Sequence, residues 1–224
     1  MKILDDEINM ISLCKNTNAI QRIYSSIIYT FLFIYVVLEQ SNYPFLLFIS
    51  TLLIGSLYEF IKIISKSYFH FIYIILILYI IAAFYILFQI KRHTNGEALI
   101  LILLSQIWSS DVGGYIFGKT FGKNKLSNIS PKKTWEGICG SFICALIIGK
   151  VLEAFIASTI QIHWMIISIS LTTSSILGDL IVSKIKRIHN QEHSGCFLPG
   201  HGGFLDRLDS LFLATIVYYL IICI

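Results

Sequence analysis

Four aspartates carry the chemistry that this sequence offers. Asp111 sits in Ser109-Ser110-Asp111-Val112-Gly113-Gly114-Tyr115, Asp179 lies four residues before Ser183, and Asp206 and Asp209 are three apart. On a helix each of the last two pairs shares a face. Any one aspartate has a plainer role as a helix cap or helix-end charge. Four together, beside glycine-rich loops and several cations, argue for a site. Carboxylates next to lysines and arginines are what a Mg²⁺-nucleotide requires: hard oxygen ligands for the metal and cations for phosphate oxygens.

A second group is Ser130-Pro131-Lys132-Lys133-Thr134-Trp135-Glu136-Gly137. Ser130 is expected to cap a helix with Pro131 in its first turn, so that Lys132, Lys133 and free backbone N–H groups form an anion site. A lysine pair that only sets membrane topology is the alternative. Two tempting patterns are set aside. Gly113 to Thr120 fits GxxxxGKT, yet an apolar span precedes it, Tyr115, Ile116 and Phe117 crowd it, and no alternating strands and helices follow. His189, His193, Cys196 and His201 have zinc-type donors, but only a very compact loop would gather them.

The elements that must position these residues follow from composition. The 224 residues are 56% apolar and 13% charged, with mean hydropathy +0.76, against roughly 25% charged in soluble domains. Apolar runs fall at about 23–38, 44–61, 69–90, 98–108 extending to 117, 138–156, 164–182 and 205–224. Their length, their lack of period-two alternation and the need to satisfy backbone groups in lipid select helices. The expected fold is all-α: a polytopic membrane helical bundle of about seven transmembrane helices. Residues 1–22 read as a cytoplasmic lead-in without a signal-peptide cleavage site, and 23–224 as one transmembrane catalytic domain.

Lysines and arginines gather on alternate connections, most densely over 118–137 and 183–207, whereas Lys91 and Arg92 stand on the other side. The positive-inside rule then makes the N-terminus and both rich loops cytoplasmic. The net charge of +4 flanks apolar spans, which suits lipid phosphates or a nucleotide and not nucleic acid. Five scattered cysteines define no disulfide framework.

Longer motifs bring a resemblance. Ser183-Lys184-Ile185-Lys186-Arg187, then Pro199-Gly200-His201-Gly202-Gly203, then Asp206-Arg207-Leu208-Asp209 resemble the signature of the phosphatidate cytidylyltransferases. Gly178-Asp179-Leu180, the 130–137 segment, and Asp111 to Tyr115 with Gly118 and Phe121-Gly122-Lys123 are similar to family segments as well. The resemblance covers roughly residues 111–210, and the chain is short for the family. It departs at Glu192-His193, where the family has Lys-Asp, and at Val182, where a glutamate is usual.

The resemblance implies that CTP and phosphatidate give CDP-diacylglycerol and pyrophosphate at an inner-membrane protein, with Mg²⁺ and room for a second cation. Asp179, Asp206 and Asp209 would hold the metal, with Asp111 assisting and His193 an open substitute for the missing aspartate. Lys132, Lys133, Lys186, Arg187 and Arg207 would grip phosphates, with Thr134, Glu136 and Ser183 at the substrates. Gly202 and Gly203 would let backbone N–H groups reach an oxyanion, and His201 would position or donate. A homodimer stays open beside a single copy. The competing readings are a CTP-dependent lipid (polyprenol) kinase, which would need a base, and a degenerate lipid-binding or transport protein.

Overall fold

The computed structural model describes residues 19–64, 71–126, 130, 133–154, 163–189, 191, 194 and 203–223. Those residues form seven α-helices: α1 (Ala19–Leu38), α2 (Asn42–Ile64), α3 (Phe71–Arg92), α4 (Gly96–Phe121), α5 (Trp135–Val151), α6 (Trp164–Ile188) and α7 (Leu205–Ile222). Among the described residues there is no strand, only an isolated bridge between Lys125 and Thr134. The helices coincide with the seven apolar runs to within a few residues.

Four of them, α2, α3, α4 and α6, are long and apolar enough to cross a membrane. Among the described residues the number of helices matches the expected seven, and four of them have the length and composition of a span. The 17 residues of α5 rise only about 25 Å at 1.5 Å per residue. Asp206, Arg207 and Asp209 charge the first turns of α7. Large apolar side chains such as Tyr43, Phe71, Tyr85, Val151 and Leu220 face outward, as they do where hydrocarbon replaces water.

Packing is most extensive between α4 and α5, and next between α6 and α7. Glycine explains the first contact. A Cβ on Gly113 would strike the Gly140 carbonyl and come 2.8 Å from Cys144 Cβ, one on Gly114 would lie 2.6 Å from Ser141 Oγ, and one on Gly140 would strike Phe117. Small residues let the two backbones approach without a hydrophobic drive between helices. Gly113 and Gly118 therefore belong to a continuous helix and its packing seam, which is a different structure from a phosphate-binding loop. With its amide turned to suit its neighbours, buried Gln106 on α4 donates to the Ala145 carbonyl (3.1 Å) and accepts from Ser168 Oγ (3.3 Å) and the Gly149 N–H (3.2 Å). That network ties α4, α5 and α6 together.

At the bundle end remote from the aspartates, Lys91 is buried. Its ammonium donates to the Val37 and Glu39 carbonyls (2.5 and 2.9 Å) and lies 3.4 Å from Glu97. It satisfies carbonyls at the C-terminal end of α1, where a cation also favours the helix dipole. This lysine has a structural role in addition to its place in the topological count.

Candidate active site

The C-terminal parts of α2, α4 and α6 and the N-termini of α5 and α7 share one end of the bundle, as the contacts Glu59–Leu205, Gly118–Thr134, Lys133–Asp179 and Lys186–Asp206 show. The contacts there follow from local sequence. Asp179 and Ser183, one turn apart on α6, meet as their spacing predicts: Ser183 Oγ donates to Asp179 Oδ1 at 3.0 Å. The other Asp179 oxygen pairs with the Lys133 ammonium from the start of the α5 segment. Lys186, one helical turn beyond Ser183, donates to Asp206 Oδ1 at 2.7 Å. Two lysines thus clasp two of the four aspartates.

The remaining pair is close by. Asp209 is buried on α7, where Oδ1 accepts the Ser210 N–H at 2.8 Å. Gly178 lets α7 in, since a Cβ there would lie 2.7 Å from the Asp209 carbonyl. Asp111 is exposed on α4, within electrostatic reach of Asp179, Lys133 and Arg207, and Asp209 within that of Asp179, Lys186 and Asp206. Three cations therefore stand among four carboxylates. Among the described residues no three carboxylate, imidazole or thiol groups yet converge as a metal cage. The donor chemistry nonetheless fits Mg²⁺, because the oxygens of Asp179, Asp206 and Asp209 are hard ligands on adjoining helices.

The lysine segment differs from its expected form. Thr134 and not Ser130 caps α5: it is extended (φ −125°, ψ 156°) and its hydroxyl accepts the Gly137 N–H at 3.1 Å. Pairing of Leu126 N–H with the Lys133 carbonyl (2.8 Å) and of Trp135 N–H with the Asn124 carbonyl (3.0 Å) holds Lys133 short of the helix. Ser130 instead offers its carbonyl to the Lys133 N–H at 3.0 Å. Glu136 receives the Asn124 backbone and side-chain N–H groups (3.2 and 3.0 Å). Its own backbone N–H and those of Asn124 and its neighbour hold its carboxyl below the usual glutamate range. Arg187 is exposed, with Nη1 3.4 Å from the Gln191 carbonyl. His189 is engaged by the Tyr73 hydroxyl (3.2 Å) and the Ile185 carbonyl (2.8 Å), which takes it out of any zinc set. Lys132, His193, Cys196, His201 and Gly202, with Glu192, lie outside the described residues.

Sequence reasoning missed Glu59. This carboxylate, 1% exposed on α2, accepts the N–H groups of Phe204 and Leu205 (both 3.0 Å) and the hydroxyl of Ser194 (2.9 Å). Phe204, at the N-cap of α7, makes no side-chain cap of its own. The signal was present: a lone carboxylate inside an apolar run demands partners.

Beside the charged cluster, a cavity of about 270 Å³ is lined largely by apolar side chains, including Tyr29, Phe48, Leu104 and Trp108, and carries Asp111 and Arg207. An apolar helical bundle with lysine-clasped carboxylates at one end has the build of a membrane protein with its charged groups gathered at the edge of its apolar region. Residues 65–224 match the cytidylyltransferase family, and this chain belongs to that family. It is similar to phosphatidate cytidylyltransferases of Staphylococcus saprophyticus (40% identical over 166 residues, 71% of this chain and 64% of the relative) and of Bacillus subtilis (38% over 148 residues, 64% and 55%). That of Haemophilus influenzae is 38% identical over 127 residues, 54% of this chain and 44% of the relative. The chain spans less than two thirds of the length of these curated relatives.

Proposed function

We propose that the protein transfers the cytidylyl group of CTP to phosphatidate, releasing pyrophosphate and leaving CDP-diacylglycerol in the membrane. The observation that carries this reading is the convergence of Lys133–Asp179 and Lys186–Asp206 beside Asp111 and Asp209. Family membership and the names of the relatives support it, as does the adjoining cavity with its apolar walls and its arginine.

A phosphate monoester has its second pKa near 6 and is mostly ionised at pH 7, so the attacking oxygen needs no general base. It forms a bond to the α-phosphorus of CTP while the bond to the bridging oxygen breaks, and the electron pair leaves with pyrophosphate. The obstacle is repulsion between anions. Lys133 and Lys186 are placed to exchange a carboxylate for a phosphate oxygen as substrates arrive, releasing Asp179 and Asp206. Those two with Asp209 would then hold Mg²⁺, which supplies charge neutralisation and alignment of the phosphates. Arg207 is suited to the lipid phosphate, because it shares the cavity with the apolar walls that would receive acyl chains. The loops would face the cytoplasm, where CTP is found.

The test is incorporation of labelled CTP into lipid by purified protein in phosphatidate micelles with Mg²⁺. CDP-lipid plus pyrophosphate, lost in Asp179→Asn, is expected. Phosphorylated lipid plus CDP would identify a kinase instead, and a wild-type protein without turnover would overturn the reading.

A further inference from the structure

The strongest unassigned feature is the buried Glu59 carboxylate. It lies 135 residues from Ser194 and 145 from Phe204 in sequence, yet it binds both. Ser194 and Gly203 bracket residues 195–202, so Glu59 holds the two described ends of that stretch. Gly203 is fitted to it: a Cβ there would collide with Glu59 Oε2 and with Ser194 Oγ. One turn back on α2, Gly55 receives the Phe204 ring, whose Cδ2 would lie 2.6 Å from an added Cβ. Ser194 completes the connection, because its backbone N–H donates to Asp206 Oδ2 at 3.1 Å while its hydroxyl serves Glu59.

We infer that Glu59 is a positioning residue for the metal-binding carboxylates: it caps α7 from another helix and, through Ser194, sets the orientation of Asp206. Three donors converge on one carboxylate, and Asp206 follows directly on Leu205, whose N–H is one of them. A carboxylate is acceptor-only, so both oxygens meet the donors. Glutamine of the same shape would turn an amide N–H₂ toward a backbone N–H and leave that donor unsatisfied inside the bundle. The first turn of α7 would then shift, and Asp206 with it. This inference rests on the proposed metal-dependent reaction, but its main readout does not require turnover.

The experiment is Mn²⁺ titration of the purified full chain by electron paramagnetic resonance, with CTP turnover measured in parallel. Glu59→Gln is expected to weaken Mn²⁺ binding tenfold or more and to lower kcat by at least as much, and Glu59→Asp to restore part of both. Ile63→Ala, a buried apolar change on the same helix, serves as the stability control and keeps wild-type Mn²⁺ affinity. If Glu59→Gln does not fold, Ser194→Ala, which removes one donor of the three, is read in its place and should weaken Mn²⁺ binding severalfold. Unchanged Mn²⁺ affinity in these variants, or a loss no greater than that of Ile63→Ala, would overturn the inference. So would a wild type that binds no Mn²⁺. Wild-type Mn²⁺ binding without cytidylyl transfer would remove the proposed reaction and leave the Glu59 comparison intact.

Discussion

Lys186 and Asp206 meet at 2.7 Å between α6 and α7, with only 10% and 12% of their side chains exposed. An ion pair this sheltered penalises loss of one partner more than loss of both, because the survivor is left charged and desolvated. Lys186→Met is expected to cost about 3–5 kcal/mol, and Lys186→Met with Asp206→Asn to recover much of that without recovering cytidylyl transfer. Thermal denaturation in detergent, set beside turnover, separates the two roles. A double variant as unstable as Lys186→Met would show that the pair does not carry the stability.

Lys133 pairs with Asp179, and in the proposed complex it would meet a phosphate of CTP. A charge-assisted hydrogen bond contributes about 1.5–3 kcal/mol, so Lys133→Gln should raise the KM for CTP by roughly 10–100-fold. Initial rates over a range of CTP at fixed phosphatidate measure it. A raised KM for phosphatidate alone would move this lysine to the lipid side of the reaction.

The α4–α5 seam gives an ordered prediction. A methyl at Gly113 meets the Gly140 backbone, whereas at Gly118 the nearest atom is Thr134 Oγ1 at 3.3 Å. Overpacking against backbone costs about 1–3 kcal/mol. Gly113→Ala should therefore lower the melting temperature clearly more than Gly118→Ala, as a thermal-shift series would reveal. Equal effects would mean that the helices separate freely.

The Glu136 clamp should respond to acid. Its carboxyl titrates below the usual range because backbone and Asn124 N–H groups favour the charged form. A depressed value stabilises the fold above the unfolded pKa of about 4.3, and the contribution is lost as pH falls through the lower folded value. Hydrogen-exchange protection at the Asn124 amide should accordingly fall with acidification in that window. Glu136→Gln should show the weakened protection already at neutral pH; full protection in that variant would refute the clamp.

The seven helices were legible because unbroken apolar runs have few other solutions in lipid. The Asp179–Ser183 contact was legible because helical spacing alone creates it. The start of α5 was not, since the pairing of 124–126 with 133–135 competes with the Ser130-Pro131 signal and delays the helix to Trp135. The lysine–aspartate pairing needed knowledge of which helices adjoin. Glu59 stood in plain view within Leu57-Tyr58-Glu59-Phe60-Ile61, but its partners are set by tertiary contact.

The long separation between Glu59 and its donors has a consequence for biogenesis. At roughly 5–20 residues per second, the 145 residues that divide Glu59 from Phe204 take on the order of 10–30 s to synthesise. Through that interval the carboxylate exists without its three final hydrogen bonds, so water or transient partners must attend it. The four helices α3–α6, made in that interval, supply none of those three donors. Closure of this part of the bundle waits for α7 to emerge from the ribosome.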